Sequence, residues 1–183
     1  MVVRGKTYTV AEFSDIANAA DVGDKILELI AGEIVEKMPS FTPSHLAIRI
    51  ARFISNFVEK HDLGYITGPD GGYIISENDV FNPDVGYISK ERLPEEPQRE
   101  VLIPPDLAVE VKSPTDSRRA MQRKAEKYLA GGTRMVLLVF PAKEQSEVHR
   151  ANVNVQTLGV EDTLDGGEVL PGFKLKVRDI FKK

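Results

Sequence analysis

Between residues 106 and 140 a β-type run, a helical stretch and a second β-type run follow one another closely, and that order constrains everything around it. Pro104-Pro105 leads into the run Leu107 to Val111, and Pro114 ends it. Ser117 to Ala130 has helical spacing, with Thr115 or Asp116 as its cap and Gly131-Gly132 at its end. Met135 to Phe140 is apolar without a break, as a strand buried on both faces should be. Two strands joined through a helix run parallel, with a right-handed crossover. The expected fold is therefore α/β, with this βαβ unit at the middle of a mixed sheet flanked by helices.

The flanking segments fit around that centre. Thr9 and Glu12 have the spacing of a capping box ahead of Phe13, Ile16 and Ala17, which predicts a short amphipathic helix. Lys25 to Leu29 and Glu33 to Met38 surround Ala31-Gly32 and read as a β-hairpin. Thr42-Pro43 opens a long helix whose apolar positions Leu46, Ile50, Phe53, Ile54, Phe57 and Val58 recur every three or four residues until about His61, with Gly64 as its stop. Short β runs broken by Gly71-Gly72, Asn78-Asp79 and Asn82-Pro83 predict antiparallel strands between Tyr65 and Ser89. Residues 90 to 105 hold four prolines and several glutamates and suit a surface loop. Alternation in Glu147 to Leu158, a turn at Asp165-Gly166-Gly167 and a short helix near Val177 to Phe181 predict an antiparallel C-terminal extension.

A length of 183 residues, 42% of them hydrophobic, suits one domain over 1–183. With 0 Cys, a disulfide framework, a thiolate metal site and a catalytic cysteine are all excluded. Any metal must be held by oxygen or imidazole. The longest apolar run, Met135 to Ala142, is far below the roughly 20 residues that span a bilayer. The opening residues show no apolar signal segment, so a soluble cytoplasmic protein without membrane contact is expected.

Alternation along the run at 107–111 puts Leu107, Val109 and Val111 on one face and Asp106, Ala108, Glu110 and Lys112 on the other. Asn82-Pro83-Asp84 sets a second carboxylate at the start of a neighbouring strand. Two acids converging from adjacent strands beside a lysine suit a hard divalent cation, which takes one or two carboxylates plus waters, with the Val111 carbonyl as a further oxygen. Such an ion lowers the pKa of a bound water and stabilises charge on a scissile phosphate. Asp106 reads as a turn residue capping its strand.

Pro83-Asp84 followed by Glu110-Val111-Lys112 resembles the PD-(D/E)XK nuclease superfamily. The wider context resembles one branch of it, a family of small bacterial restriction-endonuclease-related proteins long catalogued as a domain of unknown function. The matching stretches are Leu29 to Ile34, Pro43 to His45, Pro83-Asp84-Val85, Pro105 to Val111 with Ser113-Pro114-Thr115, Lys124 to Tyr128, and Leu170 to Phe173, in order along nearly the whole chain. The resemblance implies a restriction-endonuclease-like core and a Mg²⁺-dependent, or Mn²⁺-dependent, phosphodiesterase. It carries over Asp84 and Glu110 as metal ligands, Lys112 as the catalytic lysine, and Glu33 as an assisting acid. Many relatives take the lysine from the following helix, where Lys124 matches, so both lysines stand as candidates.

Lys124, Arg118, Arg119 and Arg123 share one helix beside that site, and His45 lies in the first turn of the long helix. These five are the expected substrate-binding residues, weighed against solvated-face and structural roles. His61 and His149 read as surface residues. DNA is the expected substrate and a homodimer the expected assembly, because a double-strand cutter needs two sites; the long helix or the proline-rich loop would form its interface. A catalytically silent nuclease-fold module that binds nucleic acid or protein is the alternative, and hydrolysis of a small phosphoester a third. The net charge of −4 argues against a phosphate-coated surface. It averages over a divided chain: residues 77–110 carry nine acids and three bases, residues 112–127 six bases and two acids.

Overall fold

The structure is a computed structural model that describes residues 6–19, 22–23, 25–38, 40–96 and 101–182. Its elements in chain order are α1 (Val10–Ala17), β1 (Leu27–Ile30), β2 (Glu33–Glu36), α2 (Phe41–His61), β3 (Gly64–Thr67), β4 (Tyr73–Ser76), β5 (Asp79–Phe81) and β6 (Val85–Ser89). They continue with β7 (Leu107–Val111), α3 (Arg118–Gly131), β8 (Met135–Phe140), β9 (Gln145–His149), β10 (Gln156–Leu158), β11 (Thr163–Asp165), β12 (Lys174–Lys176) and α4 (Val177–Phe181). No helix among the described residues is long and apolar enough to cross a membrane.

Two sheets do most of the work. A six-stranded mixed sheet runs β10-β9-β8-β7-β6-β3, and a four-stranded antiparallel sheet runs β2-β1-β5-β4. The βαβ expectation holds: β7 and β8 pair in parallel, every residue of both strands is buried, and α3 connects them. The single expected sheet is in fact divided. Of the strands between Tyr65 and Ser89, β3 and β6 join the main sheet and β4 and β5 the smaller one, while β11 and β12 pair apart from both. Each apolar side chain removed from water contributes about 1.5–3 kcal/mol. Leu107, Val109 and Val111 do so under α2 with Leu46, Ile50, Ile54 and Val58. On the other face Val136 and Leu138 do so with Met121 of α3, packed with the smaller Ala108 and Ala125 and with Tyr128.

Local chemistry explains where elements begin and end. Thr9 and Glu12 form the expected capping box. Ala31 and Gly32 both take positive φ, 53° and 77°, which a two-residue hairpin turn of the primed type requires. The long helix begins one residue before Thr42-Pro43, with Ser40 as N-cap, so Pro43 falls in the first turn where its missing N–H has no helical partner to lose. Its stop is Asp62 in the left-handed region, its N–H on the Val58 and Glu59 carbonyls, and not Gly64. Gly64 opens β3, where a Cβ would overlap the Ile88 carbonyl oxygen. Ser117 caps α3 by accepting from the Ala120 N–H, whereas Asp116 accepts from the Ser113 N–H and hydroxyl in the preceding turn and is not available for the role. The proline-rich segment is anchored as well as exposed: the Val101 N–H donates to Gly72 and its carbonyl accepts from Ile74. Its residues 97–100 lie outside the described residues.

Asp79 joins three elements through one carboxylate. It accepts from the Ala31 N–H at 2.8 Å, the Ser76 hydroxyl at 2.7 Å and the Lys127 ammonium at 2.6 Å, so it ties both hairpin turns of the small sheet to α3. Burial pushes its pKa up, but the Lys127 ammonium and the two other donors outweigh burial and hold it below the usual carboxylate range. A depressed folded pKa adds stability that is present above the unfolded value near 3.8 and is lost as pH falls through the folded one. Asp79→Asn should therefore lower the unfolding free energy by about 1–3 kcal/mol at pH 7. In urea titrations the variant should also lose less stability than the wild type between pH 4 and pH 2.5.

Candidate functional site

The site begins with alternation on β7. Val109 and Val111 face α2, which leaves Glu110 on the opposite face, toward α3. In the antiparallel β6–β7 ladder Val85 pairs with Val109, so one further step sets Asp84 opposite Glu110, and opposed residues share a face. Asp84 is held there because its Oδ2 accepts the Val111 N–H at 2.7 Å. A spacing of 26 residues in sequence thus becomes adjacency across one pair of strands.

The β1–β2 hairpin closes one side. Leu29 of β1 packs with Phe13 of α1 and Val80, so alternation turns Glu28 inward, where it is almost fully buried. Lys37, just past β2, reaches the Asp84 Oδ1 at 3.0 Å and the Asn82 carbonyl at 2.7 Å. Asn82 also donates its N–H to Glu28 at 2.8 Å. From the other side α3 contributes Lys124 and Tyr128, four residues apart and so on one helical face. The Lys124 ammonium lies 2.8 and 2.9 Å from the two Glu28 oxygens and 2.8 Å from Glu110. The Tyr128 hydroxyl donates to the same Glu110 oxygen at 2.9 Å.

Three carboxylates and two ammonium groups thus share one secluded volume. Burial would lower the pKa of Lys124, but the charges of Glu110 and Glu28 prevail and raise it. Lys37 is raised for the same reason, with Glu110 and then Asp84 overcoming burial. Asp84 moves up, through burial first and then the neighbouring Glu110 charge, with Lys37 opposing. Burial and Glu110 push the Tyr128 hydroxyl well up, so it stays a donor. Among the described residues no three His, Cys, Asp or Glu side chains form a ready metal cluster. The donor set is two carboxylates from adjacent strands, each already facing a cation, and that set fits a magnesium ion completed by waters.

Asp84 and Glu110 come together, and the other expected residues are spread more widely. Lys112 turns to the carbonyl of its neighbour Ser113 at 2.8 Å; of the two expected lysines, Lys124 is the one beside Glu110, and Asp84 is met by Lys37. Glu33 is exposed at the start of β2, opposite Ile30. Arg118 is committed to the buried Glu147, at 2.8 Å from its Nε, and rests over Phe140. Arg119 and Arg123 lie exposed on α3. His45 stacks on Phe41 and meets Arg49 at 2.9 Å on α2, on the side of the main sheet opposite to that of Glu110. His149 is buried, not superficial, with its Nε2 3.1 Å from Glu147, because β9 is an inner strand overlaid by Arg118 and Gln122 of α3. Asp106 is structural as expected: fully buried, it binds the Ser89 N–H at 2.8 Å and Arg92 at 3.1 Å.

Glu28, Lys37, Asn82 and Tyr128 were not expected at the site. For Glu28 a signal existed: an acid alternating with Leu27 and Leu29 must occupy the opposite face of its strand. For Lys37 none did, since a lysine past a hairpin normally meets solvent.

A mixed sheet between helices, with acids converging where two neighbouring strands meet, defines the class as a restriction-endonuclease-like nuclease fold. The chain belongs to the Uma2 family, whose family model, described as "Putative restriction endonuclease", matches residues 10–178. Among solved structures it is similar to one from Anabaena variabilis ATCC 29413 described as "a putative nuclease belonging to DUF820". The two share 21% identity over 94% of this chain and 97% of the other, with a TM-score of 0.82. That likeness carries the fold. No curated protein matches the chain.

Removing Lys124 leaves Glu28 and Glu110 buried without their shared cation. In chelator-containing buffer Lys124→Met should cost about 3–5 kcal/mol of unfolding free energy, whereas Lys112→Met should stay within about 0.5 kcal/mol. Urea denaturation followed by circular dichroism distinguishes the two.

Proposed function

We propose that the protein is a Mg²⁺-dependent endonuclease that hydrolyses DNA phosphodiester bonds, Mn²⁺ substituting for Mg²⁺. The observation that carries this reading is the position of Asp84 and Glu110, facing one another across β6 and β7 with a buried lysine at the second acid. Membership of the Uma2 family and the nuclease-type fold support it.

Asp84 and Glu110 would hold the ion. When bound, a divalent ion supplies positive charge beside the scissile phosphate and acidifies water. Lys124 orients the Glu110 carboxylate, and its ammonium would stand beside charge that develops on the phosphate. Tyr128 fixes the same carboxylate oxygen. Glu33 pairs with Ile30 and Glu28 with Val35, so Glu33 shares the hairpin face of Glu28; it would be an assisting acid. Arg119 and Arg123 would grip the phosphate backbone from the exposed side of α3, with modest and salt-sensitive affinity. Arg118 serves this purpose only through the helix it anchors to Glu147.

A double-strand cut calls for two such sites, so the working assembly is a homodimer. The exposed Phe41 and Ile48 of α2, 84% and 67% accessible, and Leu102 of the proline-rich segment, 72%, are apolar residues on the two surfaces that would form its interface. In plasmid cleavage with Mg²⁺ or Mn²⁺, Asp84→Asn and Glu110→Gln should each reduce the rate by at least about 10²-fold. Unchanged cleavage in both would overturn the assignment. Hydrolysis of nucleotides but not plasmid would point to a small phosphoester, and the absence of Asp84-dependent ion binding in calorimetry to a silent binding module.

A further inference from the structure

Lys37 sits where an ion would have to go. Its ammonium meets one carboxylate oxygen, Asp84 Oδ1 at 3.0 Å, and one backbone carbonyl, Asn82 at 2.7 Å. A hard divalent cation selects these same two kinds of oxygen. The other oxygen of Asp84, Oδ2, already accepts the Val111 N–H at 2.7 Å, so Oδ1, which faces Lys37 at 3.0 Å, is the oxygen turned toward the cations of the site. An ion that takes Oδ1 therefore meets the lysine at the same atom.

The two lysines of the site are not held alike. Lys124 lies between Glu28 and Glu110, anchored within α3. Lys37 has one carboxylate partner, stands just beyond β2 at the edge of the small sheet, and keeps 23% of its side chain accessible. Like charges repel over a few ångströms with little screening where water is scarce. A divalent ion on Asp84 Oδ1 and an ammonium on the same oxygen would repel one another.

Formal charge points the same way. Glu28, Asp84 and Glu110 against Lys37 and Lys124 leave one negative charge, too little to hold a divalent ion firmly while both ammonium groups stay in place. We propose that Lys37 is an exchangeable counter-cation that holds Asp84 in position when no metal is bound, must leave Asp84 Oδ1 for a divalent ion to enter, and thereby sets the metal affinity. This rests on the reading of Asp84 and Glu110 as an ion site.

The test is calorimetric titration of Mn²⁺ into the full chain without DNA, so that the readout is binding and not turnover. Lys37→Met should bind Mn²⁺ about tenfold more tightly than the wild type. Lys37→Gln, which keeps a neutral donor toward Asp84, should also bind more tightly, and it serves if the methionine variant does not fold. Lys37→Arg keeps the competing charge and should not gain affinity. A purely structural lysine would give the opposite sign, since its loss would disorder Asp84 and weaken binding. Unchanged or weaker binding in Lys37→Gln, with wild-type binding that Asp84→Asn abolishes, would overturn the role of Lys37 and leave the ion site standing. Wild-type protein without Asp84-dependent binding would overturn the ion site, and the exchange with it.

Discussion

The ammonium of Lys124 is shared by Glu28 and Glu110, and the three residues come from three separate parts of the molecule. Glu28 belongs to the small sheet, Glu110 to the centre of the large one, and Lys124 to the helix that connects β7 to β8. A buried carboxylate without a partner costs several kcal/mol, so none of these parts can move away without leaving a charge uncompensated. Asn82 and Lys37 add a second link, running from Glu28 through the backbone of residue 82 to Asp84. The polar groups proposed for catalysis are therefore also the joint between the two sheets. An apolar joint would hold the sheets together as well, but it would offer nothing to a cation or a phosphate.

The central strand β7 separates these duties by its two faces. Toward α2 it presents only valine and leucine, packed into the larger core. Toward α3 it presents Ala108 and Glu110, the small residue leaving room and the acid filling it with charge. The same division appears farther out, where Glu147 and His149 continue the polar face on β9 and receive Arg118 and Gln122. These contacts hold the start of α3 to the sheet. Because α3 is fixed at one end through Arg118 and farther along through Lys127 on Asp79, Lys124 between them has little freedom to leave Glu110.

Much of this was legible in the chain. Period-two alternation in 107–111 and period-3.6 spacing in 117–130 are local properties, and both faces of β7 follow from them. The turn at Ala31-Gly32, the capping box at Thr9 and the parallel pair are local too, or follow from a topological rule with few exceptions. Errors arose where two residues could do the same local task and a distant contact chose between them. Asp116 and Ser117 are both good caps, and the Ser113 turn took the aspartate. Asp62 and Gly64 can both end a helix, and the Ile88 backbone needed the glycine in β3. Between Lys112 and Lys124 the sequence left the choice open, and in the fold it is Lys124 that reaches Glu110. Alternation placed Lys112 on the right face of its strand, yet Lys112 falls just past the strand end, where its ammonium meets the Ser113 carbonyl.

The sequence by itself determined the βαβ centre and the face on which Glu110 stands, because alternation and helical spacing depend on neighbours in the chain; that Asp84 lies opposite Glu110 depends on β6 pairing with β7. Only the tertiary structure decided which charges surround those acids. Glu28 and Lys37 arrive from a hairpin that belongs to another sheet, and Lys124 from a helix folded back over the strand. Their positions follow from how two sheets stack and where a helix lies across them, and such long-range packing leaves no periodic trace along the chain. Net composition, slightly acidic, concealed this as well, for it counts charges without regard to which of them are buried together.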